Sequence, residues 1–144
     1  MHVAKDVMNK TVVSILEDQR VCDVARLLID RHISGTPVVD QAGQLTGIIS
    51  EYQLLAMIYD PSLKQAPVRQ FMTKNVMTVD ENAPLSEVAN LFIVHRIRRV
   101  PVVSQGKIVG VISRPDLLRF ALDQDGDAGQ VERPAKREVV ASAS

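Results

Sequence analysis

Tryptophan is missing from this sequence, and cysteine is almost missing. Cys22 is the single cysteine, which excludes an internal disulfide and any cysteine-rich metal site. Only two tyrosines and three phenylalanines are present, so the hydrophobic core must be built from Val, Ile and Leu. No apolar run approaches the roughly 18–20 residues that span a bilayer, and "MHVAKDVMNKTVV" lacks the apolar core of a signal peptide. We therefore expect a cytoplasmic protein with no membrane partner.

An excess of charge of either sign is also lacking. Lys plus Arg and Asp plus Glu number 17 each in 144 residues, so the formal net charge is zero. No global field attracts the chain to nucleic acid or to an anionic membrane, and such a partner would need a local basic patch.

The chain contains an internal repeat. With Met8 aligned to Met72, and with Ala42 left out of one turn, residues 8–55 and 72–118 share 19 identities in 47 aligned pairs. Two related units of about 60 residues therefore fill most of the chain.

Each unit shows the same order of predicted elements. β-branched residues predict a first strand, "TVVSI" (11–15) and "VMTV" (76–79). Apolar residues at 21, 24, 25, 28 and 29, and again at 85, 88, 89, 92 and 93, predict a helix. Two strands joined by a glycine-containing hairpin turn follow, and a second helix, "EYQLLAMIY" or "RPDLLRFAL", closes the unit.

This order predicts an α+β fold of two tandem β-α-β-β-α repeats, packed through their sheets with pseudo-two-fold symmetry. One unit alone has a small core, which favours packing of the two copies. The predicted boundaries are 1–60 for the first repeat, 61–67 for a linker and 68–122 for the second repeat. "AKDVM" and "VRQFM" are predicted as short lead-in helices before each first strand. Residues 123–144 lack an apolar period and are predicted to be a disordered tail.

Over about residues 1–122, the sequence resembles a tandem pair of cystathionine-β-synthase (CBS) domains, the Bateman module. The resemblance rests on the duplicated methionines, on "ISGTPVVD" and "IRRVPVVS", and on "GIIS" and "GVISRPD". It implies a regulatory module that binds an adenosyl ligand (AMP, ADP, ATP, NAD or S-adenosylmethionine) in clefts between the repeats. Many family members also pair into disc-like dimers, so a homodimer is expected.

Ser113-x-x-Asp116 has two interpretations. It fits an N-terminal capping box of a helix, and Ser50-x-x-Gln53 in the first repeat fits that motif equally well. The resemblance implies in addition that Asp116 binds the ligand's ribose hydroxyls and that Ser113 contacts its phosphate side. Gln53 departs from the family pattern, so we expect one competent nucleotide site and one degraded site.

A second difference between the repeats lies before the proline of the third predicted element. The first repeat has Ser34 and Gly35 there, whereas the second has Arg98 and Arg99. The resemblance implies phosphate contacts for both arginines, and the alternative is a solvated basic turn. Because the clefts lie between copies, the base side of the site is expected from the first repeat. By position, its residues are Thr11, Val12, Ile33 and Ser34.

No catalytic constellation is recognisable in the sequence. There is no nucleophile–base pair at a known spacing, no metal-ligand set and no Gly-rich phosphate loop. We expect a stand-alone regulatory protein of the energy-sensing type, with no enzyme activity and no metal, that signals to a separate, unknown protein. Two alternatives stay open: a dimerisation or adaptor module that binds no ligand, and a less favoured nucleic-acid-binding module using "HRIRR" (95–99).

Overall fold

The computed structural model describes residues 1–124, and it contains the two predicted repeats. The first repeat consists of β1 (Ile15–Leu16), α1 (Val21–Arg31), β2 (Gly35–Val39), β3 (Leu45–Ser50) and α2 (Glu51–Leu54). The second repeat consists of β4 (Val79–Asp80), α3 (Leu85–His95), β5 (Arg99–Ser104), β6 (Lys107–Ser113) and α4 (Arg114–Gln124). The α+β class and the strand-helix-strand-strand-helix order are confirmed.

Short 3-10 helices connect these elements. The predicted lead-in helices appear as Ala4–Asp6 and Val68–Gln70, and the predicted linker contains Pro61–Gln65. Helix α4 continues through the first two residues of the predicted tail, and the rest of that tail lies outside the described residues. None of the helices in residues 1–124 is long and apolar enough to cross a membrane.

Each repeat forms one three-stranded mixed sheet. In the first, β1 runs parallel to β2, and β2 pairs antiparallel with β3. In the second, β4, β5 and β6 pair in the same way. The β5–β6 hairpin turns on Gln105 and Gly106, both with positive φ, which is the two-residue turn that matches the twist of a hairpin. The β2–β3 hairpin is one residue longer and places Gly43 at a φ of 85°.

The lead-in segments cross between the repeats. Asn9, before the first repeat's β1, exchanges backbone hydrogen bonds with Val111 of β6, at 2.9 and 3.0 Å. Thr73, before β4, exchanges the equivalent bonds with Ile48 of β3, at 2.8 and 2.9 Å. The two repeats are therefore joined by a reciprocal exchange that follows their pseudo-two-fold symmetry.

The hydrophobic core is divided in the same reciprocal way. Ala4, Val7 and Met8 of the first lead-in pack into the core of the second repeat, around Val88 and Ile112. The first repeat's core receives its equivalent residues from the second lead-in: Val68, Phe71 and Met72. Both cores are dominated by aliphatic side chains, as the composition predicts.

Several local predictions differ from the structure. The first strands are shorter than predicted, because residues 11–14 and 76–78 have no strand partner. Helix α2 changes to a 3-10 helix at Leu55–Ile58. Ile29 and Ile93, predicted on the apolar helix faces, are 70% and 74% exposed.

Candidate ligand site between the repeats

A cavity of about 570 Å³ is lined by residues of both repeats. The first repeat contributes the loop and strand at 33–37, the end of β3 (Ile48 and Ser50), and four residues that follow its lead-in: Asn9, Thr11, Val12 and Val13. The second contributes the start of β5, the end of β6 and the first turns of α4. The cavity therefore lies at the place where a cleft between copies was expected.

All eight residues predicted for the nucleotide site line this one cavity. They are Thr11, Val12, Ile33, Ser34, Arg98, Arg99, Ser113 and Asp116. The structure thus brings together residues that are far apart in the sequence. Four polar or charged residues in the wall were not predicted for the site: Asn9, Thr36, Ser50 and Arg119.

Asp116 forms the capping box of α4. Its Oδ2 accepts a hydrogen bond from the Ser113 backbone N–H at 2.8 Å, and its own N–H donates to Ser113 Oγ at 3.3 Å. Its Oδ1 accepts from Arg119 Nη2 at 2.9 Å. An ionised carboxylate offers about four acceptor positions, so these two bonds leave about half of them available. Because only 21% of this side chain is exposed, an added ligand contact here would be largely shielded from water.

Gln53, the counterpart of Asp116, is engaged differently. Its Oε1 accepts from the Ser50 backbone N–H at 2.8 Å, which preserves the cap. Its Nε2 donates to Thr73 Oγ1 at 3.0 Å, across the boundary between the repeats. Unlike the carboxylate of Asp116, the amide of Gln53 has only one oxygen and no formal charge. It does not line the 570 Å³ cavity.

Arg98 and Arg99 stand where β5 begins. The Arg98 carbonyl accepts a hydrogen bond from the Arg114 N–H at 3.2 Å, which ties this position to the start of α4. The Ser34 carbonyl accepts the equivalent bond from Glu51 at 3.0 Å. Within residues 1–124, neither Arg98 nor Arg99 forms an ion pair with a carboxylate. Their guanidinium groups are exposed and carry positive charge at the cavity.

The opposite wall is a length of backbone held at its two ends. The Thr11 N–H donates to Asn9 Oδ1 at 2.9 Å, and the buried Thr36 hydroxyl donates to the Val13 carbonyl at 2.7 Å. Between them, the N–H and C=O of Val12 have no hydrogen-bond partner in the part of the chain that the structure describes. This wall can therefore both donate a hydrogen bond and accept one.

Sequence reasoning missed Arg119 and Thr36 for different reasons. Arg119 is three residues after Asp116 on the same helix, a spacing that brings two side chains together and was available as a signal. Thr36 has no such local signal, because its partner Val13 is distant in the sequence. No group of three or more His, Cys, Asp or Glu able to hold a metal occurs in residues 1–124.

The chain belongs to the CBS domain family, whose sequence profile matches it twice, over residues 4–60 and 68–123. It is a tandem CBS pair, as the repeat and the motifs predict. A curated relative is L-aspartate semialdehyde sulfurtransferase of Methanocaldococcus jannaschii, 28% identical over 119 residues. That match covers 82% of this chain and 23% of the relative. Another relative from the same organism is the uncharacterized protein MJ1225, of which this chain spans 41%.

Solved structures of CBS pairs share the fold. CBSX2 of Arabidopsis thaliana, solved in complex with AMP, has a TM-score of 0.75 at 28% identity and covers 86% of this chain and 98% of its own. The CBS pair of protein MJ0100, solved in complex with 5′-methylthioadenosine and S-adenosyl-L-methionine, has a TM-score of 0.70 at 26% identity. Its alignment covers 86% of this chain and 98% of its own.

Proposed function

We propose that this chain is a regulatory CBS pair that binds one adenosine-containing ligand in the cavity between its repeats. The observation that carries the proposal is Asp116, a mostly buried carboxylate in the cavity wall with acceptor positions still available. The complexes of CBSX2 with AMP and of the MJ0100 pair with S-adenosyl-L-methionine support the class of ligand.

Asp116 is the proposed ribose ligand. Two vicinal hydroxyls donate to a carboxylate at positions that the Ser113 N–H and Arg119 do not use, so capping and ribose binding are compatible. The cap then serves the site, because the bond from Ser113 fixes the orientation of the carboxylate. Ser113 itself and the guanidinium groups of Arg98 and Arg99 are the proposed contacts for the ligand's phosphate side.

The proposed base site is the opposite wall. Adenine presents a donor and an acceptor side by side, and the free C=O and N–H of Val12 match that pair in kind. Ile33 and the apolar part of Thr11 supply surface for the flat faces of the ring, and Ser34 lies beside them.

We propose that the cleft around Gln53 does not hold a ribose. The amide offers one oxygen that already caps α2, and its nitrogen is bonded to Thr73. One ligand per chain is therefore expected.

The signalling part of the proposal is a homodimer that presents a ligand-dependent surface to a separate protein in the cytoplasm. Apolar side chains remain exposed at matching positions of both repeats, on the helices or directly after one: Ile29, Leu55 and Tyr59 in the first, and Ile93, Leu118 and Leu122 in the second. A duplicated apolar surface of this kind fits a symmetric dimer, in which the same patch meets itself.

Calorimetric titration with AMP, ATP, NAD and S-adenosylmethionine tests the ligand proposal. Asp116→Asn keeps an oxygen that can cap α4, as Gln53 does in α2, but removes the negative charge. We expect one site per chain in the parent protein and a loss of affinity of about tenfold or more in the variant, because hydrogen bonds to charged groups are the stronger ones.

Gln53→Glu is the matched control, since it changes one charge at the equivalent cap of the other repeat. It should leave the affinity of the Asp116 site within about twofold, because Gln53 itself does not line the cavity. Absence of heat and of thermal stabilisation with all four ligands would reject the proposal and favour the adaptor module.

Light scattering during size-exclusion chromatography tests the dimer. Ile93→Glu with Leu118→Glu places two charges in the exposed apolar patch, and we expect this double variant to be a monomer. Gln41→Glu with Gln105→Glu adds the same charge to two exposed hairpin positions and should remain dimeric. A parent protein that is monomeric at high concentration would contradict this part of the proposal.

A further inference from the structure

The cavity wall carries an excess of positive charge. Of the side chains that line it, three are arginines (Arg98, Arg99 and Arg119) and one is a carboxylate, Asp116. No Lys, His or Glu lines it, so its formal net charge is +2, although the whole chain has a formal net charge of zero. The excess is therefore local to the cavity.

Arg119 brings one of these charges next to the proposed ribose ligand. Its Nη2 lies 2.9 Å from Asp116 Oδ1, and 68% of its side chain remains exposed. A guanidinium has five N–H donors, and one of them is used in this bond. Arg119 can therefore keep its contact with Asp116 and still donate to a second acceptor on the ligand.

The candidate adenosyl ligands differ in charge at the atom that follows the ribose. AMP, ADP and ATP carry a phosphate on the 5′ carbon, and a phosphate monoester has a charge of about −1.5 to −2 at pH 7. S-adenosylmethionine carries a positive sulfonium on the same carbon, and the ammonium and carboxylate of its methionyl part cancel. A ribose held by Asp116 thus places either an anion or a cation beside the arginines.

We infer that the cavity selects adenosine 5′-phosphates over S-adenosylmethionine, and that Arg119 is a specificity-determining residue. The inference rests on the proposed function, because it assumes a ribose on Asp116. A 5′ phosphate meets three arginines, of which Arg98 and Arg99 have no carboxylate partner among residues 1–124. A sulfonium meets the same charges and is repelled, and like charges brought together are a strong source of discrimination.

The test is calorimetric titration of the full chain with AMP, adenosine and S-adenosylmethionine at one ionic strength. We expect AMP to bind at least about tenfold more tightly than S-adenosylmethionine, with neutral adenosine between them. The preference for AMP should fall as salt is raised, because exposed charges such as Arg119 are screened.

Arg119→Gln is then compared with Arg26→Gln. Arg26 also pairs with an aspartate three residues away on a helix, Asp23, and is similarly exposed, but it does not line the cavity. Arg119→Gln should reduce the ratio of the two dissociation constants by about threefold or more, whereas Arg26→Gln should leave it unchanged. Circular dichroism confirms the fold of both variants.

The possible results separate the two proposals. If S-adenosylmethionine binds as tightly as AMP or more tightly, the selectivity is wrong and the adenosyl site stands. If Arg119→Gln leaves the ratio unchanged, the role of Arg119 is wrong. If neither these three ligands nor ATP and NAD bind, the proposed function itself fails.

Discussion

Thr36 carries a buried hydroxyl group that has no equivalent in the second repeat. Its side chain donates to the Val13 carbonyl at 2.7 Å, and just 3% of the residue is exposed. The equivalent residue of the second repeat, Val100, is fully buried and has no hydroxyl. Thr36 therefore ties the segment between the first lead-in and β1 to β2 at the cavity wall, next to the free backbone of Val12. Its proposed role is to position that backbone for the base.

We predict that Thr36→Val lowers the free energy of unfolding by about 1 kcal/mol, because a buried hydrogen bond is lost at nearly constant volume. It should also weaken AMP binding severalfold through the displaced backbone. Thr46→Val is the control: the Thr46 hydroxyl lies 3.0 Å from Glu17 Oε2 and 3.3 Å from the Val38 carbonyl, so it also has a hydrogen bond to lose, but it lies outside the cavity. Urea unfolding and calorimetry of both variants check this. Equal losses of AMP affinity would make Thr36 a stability residue only.

Most secondary-structure elements could be predicted from the sequence. The places where their predicted bounds differ from the structure show which interactions a local sequence pattern reflects. Helices α1 and α3 follow the apolar period, and the hairpins follow the glycines. The prediction of a strand over "TVVSI" (11–15) was wrong for residues 11–14. β-branched residues favour a strand only where a partner strand is present. Residues 11–13 run along the cavity instead, and only Ile15–Leu16 pairs with β2.

The candidate site was predictable where it follows a motif. Asp116, Ser113 and the arginine pair belong to segments that the repeat and the family resemblance single out, and the structure gathers them with the first-repeat residues. Thr36 and the engagement of Gln53 with Thr73 depend on contacts between distant segments. A local pattern in the sequence does not show which distant segments come into contact, and the Gln53–Thr73 bond also depends on the crossing of the second lead-in.

A glycine in each third strand makes room for the crossing lead-in. A Cβ added at Gly110 would lie 2.5 Å from Met8 Sδ and 2.7 Å from its Cγ. At Gly47 it would lie 2.6 Å from Met72 Sδ and also 2.8 Å from the backbone oxygen of Thr73. The methionine side chains can move, but the Thr73 carbonyl is fixed by its bond from Ile48.

We therefore predict unequal costs for one substitution at two equivalent positions. Gly47→Ala should lower the free energy of unfolding by about 2 to 3 kcal/mol and Gly110→Ala by about 1 kcal/mol, both through overpacking. Urea unfolding measures the difference. A further check is Met8→Ala, in whose background Gly110→Ala should cost less, because the clashing side chain has been removed. Equal costs at both glycines would contradict the role given to the Thr73 carbonyl.

The two repeats are held together because the lead-in of each one packs in the hydrophobic core of the other. Val68 is fully buried in the core of the first repeat, although it belongs to the lead-in of the second. Met8 packs on the core of the second repeat, although it precedes the first. Neither core is complete without a segment that belongs, by sequence, to the other repeat.

A core substitution in one lead-in should therefore loosen the opposite repeat. We predict that Val68→Ala costs about 2 kcal/mol and lowers amide protection mainly in β2 and β3. Met8→Ala should lower it mainly in β5 and β6. Hydrogen exchange with mass spectrometry resolves the two sheets. Loss of protection in the repeat that contains the substituted lead-in would be the contrary result.

The crossing of the lead-ins also sets an order of events on the ribosome. The first core can close once Phe71 and Met72 have emerged, before β5 and β6 are made. The second core needs Ala4 and Met8, which precede the whole first repeat, to pack with Ile112 of β6, which is made after that repeat. Until then Met8 and its apolar neighbours have no completed core to enter, so the second repeat closes through a slow, non-local contact. The two repeats, alike in structure, thus acquire their folds at different times.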